Sequence, residues 1–113
     1  MHNVKNKAII LTNENFNHRV LENVLPVMVL FSASWSGSSD IMTPIIEQLA
    51  LEFSSKLAFA KIDADKYGEI SVKLGIDSVP TLLFFKNGRV VDRLTGVISK
   101  GKLGEKLKSL LEH

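Results

Sequence analysis

Ser36, Ser38 and Ser39 follow the only tryptophan, Trp35, in the stretch SASWSGSSD (residues 32–40), and their hydroxyls are the first groups to weigh for chemistry. A serine attacks a substrate only when a nearby base takes its proton. Neither His2 nor His18 is placed near this loop, and the stretch lacks the G-x-S-x-G pattern of a nucleophile elbow. A serine-nucleophile hydrolase would therefore be missing its base. Hydroxyls just ahead of an apolar-periodic segment serve more simply as helix caps, and the Asp40 carboxylate can do the same for neighbouring amides. Lys61, Asp63 and Asp65 bring two carboxylates together, but at a strand end, where solvated charge and helix capping account for them; no metal site is expected. With no cysteine there is neither a disulfide framework nor a thiolate metal site. No cofactor is expected. His2 and His18 read as surface residues, and Met28 and Met42 as core filler.

The elements that would position the serine loop are legible from periodicity and turn residues. Ala8 to Leu11 reads as a short strand, and Thr12 as the cap of a helical segment with Phe16, Val20 and Leu21 on one face. Pro26 opens Val27 to Ser32, a β-branched apolar run suited to a strand covered on both faces. After the loop, Ile41, Ile45, Leu49 and Phe53 recur every four residues and predict one buried helical stripe, with Pro44 kinking the helix near its start. Leu57 to Asp63 predicts a third strand, and Tyr67, Ile70 and Leu74 a helix that Gly75 ends in the left-handed conformation. Thr81 to Lys86 and the RVVDRL segment form two strands joined at Asn87-Gly88, a tight-hairpin signal. Ser99 caps a last helix through Leu111, weakened early by Gly101 and Gly104. The order β-α-β-α-β-α-β-β-α predicts an α/β fold, a mixed sheet flanked by helices.

Composition bounds the function classes. A chain of 113 residues, 45% hydrophobic and 23% charged, suits one ordinary globular domain, taken as residues 1–110. The final LEH reads as the start of an expression tag, so residues 111–113 are set aside. Fourteen basic against twelve acidic residues, scattered without a stripe, argue against nucleic-acid binding. The longest apolar stretch, Val24 to Phe31, contains Pro26 and falls far short of the roughly 20 residues of a membrane span. The first residues carry no secretory signal pattern, and the expectation is a cytoplasmic monomer.

Element order and several separated motifs together resemble the thioredoxin family, from about Ala8 to Leu110. FSASWSGSS is similar to the family's F-W-A-x-W-C-G-P-C, SVPTLLFFKNG to its stretch around a cis proline, and TGVISKGKL to its next loop and last helix. Pro44 matches the kinking proline of the active-site helix. The resemblance implies a thioredoxin fold. It also implies that Ser36 stands in place of the nucleophilic cysteine and Ser39 in place of the resolving one. Serine cannot take over that work. A thioredoxin depends on a cysteine that is partly thiolate near neutral pH, a lowering that thioredoxins themselves exemplify. An alcohol lies many pK units higher, a helix terminus contributes only about 0.3 to 2 kcal/mol, and no S–O product stores electrons as a disulfide does.

Other family positions differ too. Leu30 stands where many thioredoxins keep a buried aspartate that takes the resolving cysteine's proton, Ser38 replaces the usual proline, and Asp40 puts an anion where it would oppose a neighbouring thiolate. These departures lean toward natural loss of redox demand. The binding surface is less altered: Trp35, Gly37, Val79, Pro80, Gly96 and Val97 match the family's apolar groove, where backbone beside the proline pairs with an extended segment. The expectation is thus a redox-inactive, thioredoxin-like module that binds a polypeptide segment or client protein. The alternative is a thiol-disulfide oxidoreductase of cell redox homeostasis whose cysteines at 36 and 39 have been exchanged for serine.

Overall fold

Every side chain from Val27 to Phe31 is apolar, and every one is buried, because this segment is the middle strand of a five-stranded sheet. The computed structural model describes residues 8–112; His2 and His113 lie outside them. The strands are β1 (Ile9–Ile10), β2 (Val27–Ser32), β3 (Ala58–Asp63), β4 (Thr81–Lys86) and β5 (Arg89–Thr95). Their order across the sheet is β1-β3-β2-β4-β5. β3 runs parallel to both β1 and β2, whereas β4 is antiparallel to β2 and to β5, so the sheet is mixed as expected.

Alternation along β2 divides the core in two. Met28 and Leu30 face a layer built by α1 (Gly37–Glu52) and α3 (Lys100–Glu112), through Met42, Ile46, Leu49, Phe53, Leu103 and Leu107. Val27, Val29 and Phe31 face the opposite layer, where Phe16 and Val20 pack with residues of α2 (Gly68–Lys73) and the loop after it. Phe16 meets Phe85 edge to face, with ring centroids 5.9 Å apart.

Local chemistry explains the joints. Asn87 and Gly88 take φ of 55° and 78°, the positive values that a two-residue hairpin turn needs, and β4 returns as β5. Gly75 ends the α2 region at φ 70°. The Ser99 hydroxyl accepts the Lys102 amide at 3.2 Å and caps α3.

Two expectations are corrected. The buried stripe of α1 is Met42, Ile46, Leu49, Ala50 and Phe53, while Ile41 is 54% exposed and Ile45 only partly buried. A strict four-residue repeat rotates about 40° per step around a helix of 3.6 residues per turn, so it cannot stay on one face for three steps. In the first helical segment, Phe16 and Val20 are buried but Leu21 is exposed. That segment, Asn17–Leu21, is a π-helix, with the Glu22 amide bonding to the Asn17 carbonyl at 2.9 Å. The wider turn lets Val20 face the sheet and swings Leu21 off it. Thr12 caps the turn that leads into this segment: its Oγ1 accepts the Asn15 amide at 3.2 Å, and its own amide donates to Asn15 Oδ1 at 2.8 Å.

Candidate functional site

The loop between β2 and α1 closes with a turn in which the Ser36 amide donates to the Ala33 carbonyl at 3.1 Å. Ser36 then leaves the helix path, with φ −97° and ψ 109°, and its Oγ accepts the Ser39 amide at 3.1 Å. This is an N-cap, the role anticipated for the serines. It engages one of the two lone pairs of Ser36 Oγ, and Ser36 is buried. Asp40 lies in the first turn of α1, where its charge complements the helix dipole. α1 continues from there through Pro44.

Ser39 behaves differently. It is 2% exposed, and its Oγ is the one buried side-chain oxygen or nitrogen without a hydrogen-bond partner among the described residues. It lines a cavity of about 250 Å³ together with Thr43, Lys61 and Asp63. The Lys61 ammonium reaches Thr43 Oγ1 at 3.5 Å. Leu30, which is paired in register with Lys61, is fully buried in the core. Asp63 Oδ1 accepts the amides of Asp65 and Lys66 at 3.0 and 3.1 Å, so it caps the turn that follows β3.

Trp35 is 71% exposed, and its Nε1 donates to Asp65 Oδ2 at 2.5 Å. That bond fixes the indole over a cavity of about 260 Å³, whose wall also includes Val79. The Val79–Pro80 peptide bond is cis. The Pro80 carbonyl accepts the Gly96 amide at 2.9 Å, which places Gly96 and Val97 beside the proline, with Gly96 at φ 83°. The Ile98 amide donates to Met42 Sδ at 3.4 Å and ties this loop to α1. Trp35, Val79, Pro80, Gly96 and Val97 are thus brought to one end of the sheet by three different loops. Gly37, at the first position of α1, faces open space. Among the described residues, the Val79 amide and carbonyl make no hydrogen bond.

Sequence reasoning missed Asp65 as part of this site, reading it as a solvated or helix-capping charge in preference to a metal ligand. Nothing in its spacing from Trp35, thirty residues earlier, links the two. His18 lies on the surface, 3.4 Å from Glu22, far along the chain from the serine loop.

A mixed sheet layered by helices, a Trp-led turn into a capped helix and a cis proline opposite define a thioredoxin-type domain. The thioredoxin family model matches residues 7–109, and the chain belongs to the thioredoxin family. It is 38% identical over 96 residues to a thioredoxin of Chlorobaculum thiosulfatiphilum, covering 85% of this chain and 89% of that protein. It is 32% identical to thioredoxin 1 of a Nostoc species, over 92% of this chain and 97% of that one. It is also 34% identical to the chloroplastic M-type thioredoxin of Pisum sativum, over 94% of this chain and 62% of the pea protein. No described helix is long and apolar enough to cross a membrane.

Proposed function

We propose that the protein is a redox-inactive member of its family that binds an extended polypeptide segment along the groove from Trp35 to Val79, Pro80 and Val97. The observation that carries this reading is oxygen at both positions 36 and 39, in a chain without any cysteine. An alcohol that is already the acceptor of a helix cap has no route to the sulfur–sulfur exchange of a dithiol. The groove does not depend on that chemistry. An exposed indole, a half-exposed Val97 and the unpaired backbone edge at Val79 are what an added strand needs: main-chain bonds for affinity and apolar contact for grip.

Two measurements test the reading. In an insulin-reduction assay with dithiothreitol, the protein should add nothing to the uncatalysed rate; catalytic turnover would refute redox inactivity. In calorimetry, an alkylated, permanently unfolded polypeptide should bind the protein, and Trp35→Ala should weaken binding about tenfold, a loss of about 1.4 kcal/mol. Unchanged affinity in that variant would remove the groove from the proposal.

The oxidoreductase alternative is favoured by one observation, the unpartnered Ser39 hydroxyl, since a thiol is content in such a place and an alcohol is not. The codons at positions 36 and 39 of the source gene separate loss in nature from replacement by design.

A further inference from the structure

The cavity beside Trp35 has a chemistry that strand addition does not by itself require. Val72, Ile76 and Val79 give it apolar walls, and Asp65 and Asp77 give it two carboxylates; among the described residues no basic side chain lines it. This is a locally acidic spot on a chain of formal net charge +2. Asp65 commits one oxygen to the indole, and its other oxygen makes no hydrogen bond among the described residues. The Asp77 side chain makes no hydrogen bond or ion pair with any of the described residues. Two cations close by in the chain or the fold are engaged elsewhere. Lys66 lies over the Tyr67 ring, 5.6 Å from its centre, and Arg93 donates to the Leu74 and Gly75 carbonyls at 2.7 and 3.0 Å.

A space of about 260 Å³ falls below the range of about 300 to 1,000 Å³ usual for small-molecule sites, which suits a single long side chain. We propose that the segment bound in the groove carries an arginine or lysine that enters this cavity. Resting on the reading of the groove as a polypeptide site, this adds the partner's chemistry. The aliphatic stem lies along Val72, Ile76 and Val79, which keeps apolar surface covered while the charge stays at the rim. A guanidinium there meets the Asp77 carboxylate and the face of Trp35 together, a pairing that suits arginine better than lysine. The free backbone at Val79 sets the register, because a strand paired at that residue sends alternate side chains toward one face.

Three peptides test this, alike except for arginine, methionine or glutamate at the centre of an otherwise apolar, extended segment. Titration of the full chain follows Trp35 fluorescence, which reports the groove directly because the chain has one tryptophan. The arginine peptide should bind about tenfold tighter than the methionine peptide, and the glutamate peptide most weakly. Asp77→Asn alters an exposed residue without hydrogen bonds, so its fold is not at stake. It should cut the arginine advantage at least threefold and leave methionine-peptide affinity unchanged. Equal binding of the arginine and methionine peptides, or an arginine advantage untouched by Asp77→Asn, overturns the inference while leaving the groove intact. Failure of all three to bind removes the groove and the inference with it.

Discussion

Ser36 and Ser39 are three residues apart on the same turn, yet they meet opposite physical demands. Ser36 Oγ is a helix cap in use, whereas Ser39 Oγ is buried with no partner. A hydroxyl taken out of water without a hydrogen bond costs about 1 to 3 kcal/mol, and alanine removes that cost while adding the best helix propensity. Ser39→Ala should therefore raise stability by about 1 kcal/mol, read as a higher urea midpoint at unchanged slope. A lower midpoint would mean that the hydroxyl has found a partner in the adjoining cavity. The Ser39 amide serves the cap while its hydroxyl makes no hydrogen bond, so the side chain alone can be removed without touching the capping bond.

At the scale of elements, the hairpin between β4 and β5 was legible and its tightest constraint was not. Asn87-Gly88 announces a turn with positive φ, but only the fold reveals that a Cβ on Gly88 would meet the Leu21 carbonyl at 2.8 Å. Gly88→Ala combines a left-handed backbone with a clash against main chain, so it should cost about 2 kcal/mol or more, where the conformational effect alone would cost about 1. A loss of only a few tenths in urea unfolding would mean that the π-helix yields freely. The same contact shows why Leu21 was misplaced. A π-helix has no distinctive sequence period, and its wider turn comes from how Phe16 and Val20 must reach the sheet. The α1 stripe failed for a different reason: a strict four-residue repeat drifts around the helix, and the stripe runs through Met42 and Ile46 where Ile41 and Ile45 were expected.

An ion pair between Asp92 and Lys106 ties β5 to α3. Asp92 bonds the Lys106 ammonium, which holds the Asp92 carboxyl below the usual carboxylate range against a smaller opposing effect of burial; the Arg93 amide lowers it further. A carboxyl whose folded pKa is depressed stabilises fully above its unfolded value and loses that contribution as pH falls through the folded one. Asp92→Asn should therefore lower stability at neutral pH, by less than about 1 kcal/mol because both side chains are more than a third exposed. The deficit should close once the pH drops well below about 3.9, and it should shrink with added salt. A deficit that persisted unchanged in acid would assign the effect to packing.

For the whole molecule, the two halves of the site separate cleanly: the scaffold that places a dithiol is present, and the dithiol is not. Ser36→Cys/Ser39→Cys changes one atom at each position, leaves the sheet and α1 untouched, and gives Ser39's buried site a group that tolerates it. This variant should form an intramolecular disulfide and reduce insulin with dithiothreitol, although Asp40 in the first turn opposes the thiolate and slows it. Leu30→Asp added to that variant exposes the competing demand. Leu30 is fully buried, so exchanging it for a carboxyl forfeits apolar burial and desolvates a polar group, a cost of about 3 kcal/mol. Lys61, beside it in the β2–β3 register, offsets part of that cost once the carboxyl ionises. The triple variant should show a lower urea midpoint and faster insulin reduction than the double one. An unchanged midpoint would sink the physical claim that leucine at position 30 trades catalytic equipment for core stability, because the two could then coexist at no cost.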